Sequence, residues 1–121
     1  MIFQNSKIII ADNTGPKKAK CLNIKKKNIG FLSDILIVTI KKKKKKKKKL
    51  KRNILPSIFI TSKKKKKRRD GFFIWFKKNR IALLDDKLIF IGTNLKSLIC
   101  KEIKKKKKLN IKLISYSKGN I

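Results

Sequence analysis

Apolar residues in this chain come in short, β-branched runs bounded by Gly, Asn, Asp or Lys clusters, the pattern of strands and not of long helices. Seven stretches read as strands: 7–11, 20–24, 34–40, 54–61, 72–76, 80–84 and 88–92. Residues 21–24 and 58–61 follow the half-buried period of two loosely, whereas 35–40 is nearly all apolar and reads as a more buried strand. Asp12-Asn13-Thr14-Gly15-Pro16 is turn chemistry: Asp12 or Asn13 can close an Asx turn, Gly15 is free to take positive φ, and Pro16 fixes the exit. Asp70-Gly71, between two strand-like runs, marks a hairpin turn. So many short strands in one small chain predict an all-β fold, a small closed barrel that leaves no exposed edge.

After Gly92 the pattern changes. Residues 97–103 read as a short helix with apolar Leu98, Ile99 and Ile103, and Ser97 stands in the N-cap position. A basic run, 104–108, and a last apolar piece, 111–115, follow, and no internal repeat is evident. The expected organisation is one domain over 1–121, with the barrel over roughly 1–93 and a helical, basic region over 94–121.

Composition removes most chemistry. Of 121 residues, 34 are Lys, 21 Ile and 9 Asn, against one Val, three Ala and one Glu (Glu102). There is no His, hence no imidazole base or ligand. Five Asp and one Glu give little from which to build a carboxylate metal or glycosidase site. Cys21 and Cys100 cannot hold zinc alone, nor do two cysteines make a disulfide framework; they read as buried small hydrophobes in a reducing compartment. The expectation is a protein that is not an enzyme and uses no metal or cofactor.

Charge then points to the partner. Lys and Arg number 38 against 6 acids, a formal net charge of +32. On a domain with a radius of gyration of roughly 14 Å, many like charges lie within one Debye length of about 8 Å, and their repulsion opposes compaction. A polyanion is therefore expected to support the fold. Anionic membrane is the weaker choice: no apolar run approaches the about 20 residues of a spanning helix, and the strand pattern offers no Lys-faced amphipathic helix. Residues 1–5 show no leader, so the chain is expected to work where it is made, or to be trimmed before it. Aromatics are few, so phosphate neutralisation outweighs base stacking. The Lys, Ile, Asn and Phe excess is also what AT-rich codons produce, and the length of the Lys runs can reflect that bias.

Three Lys runs, 41–49, 63–69 and 104–108, interrupt the patterned core, each a solvated loop in isolation and a phosphate-binding loop once docked. The cations expected on RNA are Lys17, Lys18 and Lys20 beside the first turn; Lys41, Lys51 and Arg52 around the long run; Lys63, Lys64, Lys65, Lys66, Lys67, Arg68 and Arg69 before the hairpin turn; and Lys77, Lys78 and Arg80 after it. Arg68 and Arg69 can grip phosphate in bidentate fashion where Lys acts as a point charge. Asp12, Asn13, Gly15, Asp70 and Gly71 set the two turns, the first being either purely structural or a backbone laid against RNA. In 72–76, Phe72, Ile74 and Phe76 share the face assigned to the core, leaving Phe73 and Trp75 on the face open to RNA or protein.

Ala11-Asp12-Asn13-Thr14-Gly15-Pro16-Lys17-Lys18 followed by Cys21, then Asn28-Ile29-Gly30, Ile58-Phe59-Ile60-Thr61 and Arg68-Arg69-Asp70-Gly71, stand in an order and spacing that resemble the universal large-subunit ribosomal protein fourteen family, bacterial or organellar type. Phe76, Asn79, Ala82-Leu83-Leu84, Gly92-Thr93 and Lys101-Glu102-Ile103 extend the resemblance over essentially the whole chain. The chain departs from the family at Ser33-Asp34, at the Lys run 41–49 and at 94–99. The resemblance implies a five-stranded barrel, a projecting basic two-stranded ribbon and a short C-terminal helical region. It implies large-subunit rRNA as partner, neighbouring large-subunit proteins three and nineteen, small-subunit rRNA at an intersubunit bridge, and a ribosome-silencing factor on the C-terminal region around Cys100, Lys101 and Lys104. With the AT-type composition, it suggests an organellar ribosome, in a reduced, apicoplast-like plastid first and a mitochondrion second. The competing reading is a sequence-nonspecific nucleic-acid chaperone, which composition alone supports equally.

Overall fold

Seven strands follow one another along the chain: β1 (Lys7–Ile10), β2 (Lys18–Ile24), β3 (Ile35–Lys42), β4 (Ile54–Thr61), β5 (Lys66–Lys67), β6 (Phe73–Ile74) and β7 (Arg80–Leu83). The structure, a computed structural model, describes residues 1–42, 53–105, 112–115, 117–119 and 121. β1 to β4 pair antiparallel in sequence order; β7 pairs antiparallel with β4 and parallel with β1, closing a five-stranded barrel. β5 and β6 form a separate two-stranded ribbon inserted between β4 and β7.

Alternation along each strand fills the barrel. Ile8 and Ile10, Ala19 and Cys21, Leu36, Val38 and Ile40, Leu55 and Phe59, and Ile81 and Leu83 form one buried cluster. A register shift between Cys21 and Asn23 lets Ile24 join the same cluster. Fully burying an apolar side chain of this size stabilises by about 1.5–3 kcal/mol, and Phe59, the largest, is completely buried.

A second cluster lies on the other face of β4 and β7. Ile58, Ile60, Ala82 and Leu84 are covered by Leu95, Ile99, Cys100, Ile103 and Leu113. The C-terminal region thus packs onto the barrel wall, and β4 is buried on both sides. β3, expected to be the more buried strand, instead alternates: Leu36, Val38 and Ile40 are buried while Ile37 is exposed. Its outer face lacks the cover that the C-terminal region gives β4.

Three other expectations change. Only Phe73–Ile74 of 72–76 is strand, and its partner is Lys66–Lys67, hidden inside a Lys run whose composition opposes strand assignment. Phe72 does not share the core face: it is 73% exposed beside the turn, while Ile74 and Phe76 pack against the second cluster. Residues 88–92 form no strand beyond a single Leu84–Phe90 bridge; Asp85 Oδ1 accepts from the N–H groups of Lys87 and Ile89, and Leu88 sits at φ 60°, which coils the chain. Helix in 97–103 is confined to a 3-10 segment, Lys101–Lys105, with one more helical turn at 112–115. Ser97 caps nothing; its hydroxyl is buried without a partner among the described residues.

Candidate nucleic-acid interface

The first turn is held rigidly by its own side chains. Asp12 Oδ1 accepts from the Thr14 hydroxyl at 2.6 Å and the Thr14 N–H at 3.3 Å, the expected Asx turn. Asp12 Oδ2 accepts from the Leu83 N–H at 2.8 Å. β1 has ended by then, so the carboxylate continues the β1–β7 seam one step beyond the last main-chain bond, Ala11 N–H to Ile81 C=O. Burial pushes the Asp12 carboxyl above its usual range, against the pull of these donors and of Lys96. Asn13 turns the other way, donating to Thr93 Oγ1 at 2.8 Å and accepting from the Thr93 N–H at 3.0 Å. Gly15 takes φ 114°. Gly92 is required by close approach, since a Cβ there would lie 2.9 Å from both Asp12 Cβ and Asn13 Oδ1. The rigid turn presents Lys17 and Lys18, both exposed, and with Lys96 they line a depression of about 320 Å³. Lys96 carries no sequence signal; only the fold brings it beside Lys17. Lys20, half-buried on β2, pairs with Thr39 across the barrel wall, and Lys41 is exposed at the end of β3.

The ribbon is the second basic element. Lys63 to Lys67 are all exposed, and Arg69 with them. Asp70 Oδ1 accepts from the Phe72 N–H, Gly71 takes φ 87°, and the Arg68 N–H meets the Phe72 carbonyl at 2.8 Å, closing the tip. At the ribbon's base Asn79 Oδ1 accepts from the Lys63 N–H at 2.8 Å, and Thr61 Oγ1 donates to the Lys78 carbonyl at 2.9 Å.

Arg68 has an internal task the sequence does not reveal. Its Nε donates to Glu102 Oε1 at 2.8 Å, and a terminal nitrogen reaches Glu102 Oε2 at 3.4 Å and the main-chain oxygen of Ile121 at 2.5 Å. The guanidinium expected on phosphate therefore ties the ribbon to the C-terminal region, and among the described residues Arg69, exposed beside it, forms no ion pair. Burial opposes ionisation of Glu102, but the Arg68 hydrogen bond and charge, with Lys66, outweigh it and hold the carboxyl below its usual range. The latch forms one wall of a cleft of about 650 Å³ whose rim carries Lys66, Lys67, Arg69 and Lys101. That Glu102 is the chain's single Glu was the one available signal, and spacing alone could not pair it with Arg68, 34 residues away.

Lys77 and Lys78 are exposed and Arg80 is half-buried on β7. Lys101 is exposed, but neighbouring Cys100 is 2% exposed within the second cluster, and burial first, then Glu102, raises its thiol to about 11. The Cys100 side chain, expected at a protein contact, is thus withdrawn from the surface, whereas Lys101 is exposed on it. Both cysteines are free and buried, as expected of small hydrophobes. Lys51, Arg52, most of the run 41–49 and residues 106–108 lie outside the described residues, as does the side chain of Lys104.

Among the described residues no cluster of three or more metal-ligating side chains forms, and no helix is long and apolar enough to cross a membrane. What the described surface offers is cations held at fixed places on a closed barrel. The family model described as Ribosomal protein L14p/L23e matches residues 1–119.

Proposed function

The chain belongs to the ribosomal protein L14p/L23e family and is a structural protein of the large ribosomal subunit, of a family that is not one of enzymes; on that premise we propose that it binds large-subunit rRNA through two basic elements, the Lys17–Lys18–Lys20 turn and the 63–69 ribbon. The observation that carries this is placement: Lys17, Lys18, Lys63 to Lys67 and Arg69 are exposed, with Lys20 half-buried and Arg68 engaged by Glu102, on segments whose main chain is fixed by Asp12, Asn13, Asn79 and the Arg68–Glu102 latch. Little ordering entropy is then lost on binding. The deep, narrow major groove of A-form RNA resists side-chain readout, so shape and phosphate contacts dominate and position the protein. Lys41, Lys77, Lys78 and Arg80 extend the same surface, with Lys51 and Arg52 assigned to it from sequence.

The finer reading follows the resemblance. The protein borders large-subunit proteins three and nineteen, meets small-subunit rRNA at an intersubunit bridge, and offers Lys101 to a silencing factor, with Lys104 assigned to the same contact from sequence. The AT-type composition supports an organellar ribosome, plastid before mitochondrion.

A salt titration against large-subunit rRNA in excess unrelated DNA tests the proposal. If about six to ten phosphates are neutralised, affinity falls roughly 10³- to 10⁵-fold between about 50 and 200 mM salt. A flat titration refutes it, and equal affinity for the competitor DNA favours the nonspecific chaperone instead.

A further inference from the structure

Register divides the ribbon into two unlike faces. Lys66 pairs with Ile74, and Ile74 packs against the second core cluster. Lys67 pairs with Phe73, and the same register sets Lys65 across from Trp75, whose ring lies 4.8 Å below the Lys65 ammonium. The second face therefore alternates cation and aromatic in both directions. Its rings are open to solvent, Phe73 at 57% and Trp75 at 54%, and Phe72 beside the tip at 73%. Three large rings, each more than half exposed on one small ribbon, leave most of their apolar surface unburied by the fold, and apolar surface of this kind marks a contact.

We propose that this face is a stacking platform for unpaired nucleotides of the bound RNA, with bases on Trp75 and Phe73 and their phosphates on Lys65 and Lys67. The charge decides the occupant. An apolar protein surface laid on these rings would have to desolvate the cations beside them, whereas an unpaired RNA strand supplies a π-face and a phosphate at each nucleotide. A duplex keeps its bases stacked internally and can meet only the cations. The proposal rests on the rRNA-binding reading and adds to it a preference for single-stranded segments at the ribbon.

Trp75 is the sole tryptophan, so its fluorescence reports on this face alone. The full chain is titrated with oligoadenylate, with inorganic polyphosphate of matched charge and with an RNA duplex. Oligoadenylate is expected to quench Trp75, and the other two to bind without comparable quenching. By anisotropy of labelled oligoadenylate, Trp75→Leu weakens binding about 5- to 150-fold, the range for losing one base–aromatic stack. Trp75→Phe keeps most of the affinity, and polyphosphate, followed by competition, holds both variants equally. Equal quenching by all three polyanions, or equal loss of oligoadenylate and polyphosphate affinity in Trp75→Leu, overturns the platform. So does oligoadenylate binding that Trp75→Leu leaves unchanged, which would leave the rings to a protein neighbour. Failure of the parent chain to bind any polyanion overturns the rRNA-binding reading itself, a result distinct from those.

Discussion

Replacing Asp12 tests whether the barrel seam depends on one side chain. Asp12→Ala deprives the Leu83 N–H of its acceptor, in a residue with no exposed surface. An unsatisfied buried donor costs about 1–3 kcal/mol. Losing the Thr14 contacts adds about 0.5–1.5 kcal/mol, and removing a buried carboxylate offsets part of the sum. The expected net loss is about 2–3 kcal/mol. Asp12→Asn keeps one oxygen for Leu83 and should lose only about 1 kcal/mol. The two variants also differ from the parent in pH response. A carboxyl whose folded value is raised binds its proton more tightly in the folded state, so its contribution is greatest below the unfolded value of 3.8 and declines as pH rises through the folded one. Both variants lose that component. Urea unfolding at high salt, where Lys repulsion is screened, measures the stabilities, and hydrogen exchange at the Leu83 amide localises the effect. Parent-like stability and unchanged Leu83 protection in Asp12→Ala would refute the seam argument.

Other expectations follow from the same geometry. Gly92→Ala places a methyl against Asp12 Cβ and Asn13 Oδ1 and should cost about 1–3 kcal/mol in the same unfolding assay. Glu102 has a lowered folded value, so the latch is present above the unfolded value of 4.5 and is lost as pH falls through the folded one; the protection of the ribbon amides relative to their intrinsic exchange rates should fall over that window, and in Glu102→Gln should not change with pH. Arg69→Ala should weaken rRNA binding and reduce the salt slope by about one, whereas Arg68→Ala should chiefly loosen the ribbon, seen as faster exchange at Phe72 and Ile74. Cys100, raised to about 11, should resist alkylation at neutral pH in the folded protein and react on unfolding.

The barrel was legible because its five strands are short, β-branched apolar runs bounded by Gly, Asn, Asp or Lys clusters, and its first turn carries Asp12 and Gly15 in the positions a turn demands. The ribbon's first strand was not, because Lys66 and Lys67 carry no apolar signal and are ordered by pairing with Phe73 and Ile74. The Arg68 role was hidden for a related reason: its partner Glu102 lies 34 residues away, and only the docking of the C-terminal region on β4 and β7 brings them together. Phe72 was placed in the core by periodicity, but the Asp70-Gly71 turn takes it out of the strand and into solvent. The cations themselves were legible as a class from charge alone. Which of them are free for phosphate was not, since that depends on ion pairs formed only in the fold.

Co-sedimentation of the full chain with large ribosomal subunits at moderate salt, in excess unrelated DNA, decides whether the two basic elements seat the protein on the large subunit. A structural protein held by its ribbon is recovered with the large subunit saturably and near-stoichiometrically, and less so when Lys63 to Lys67 are replaced by Ser. Recovery in the DNA-bound fraction, unaffected by that replacement, would contradict it.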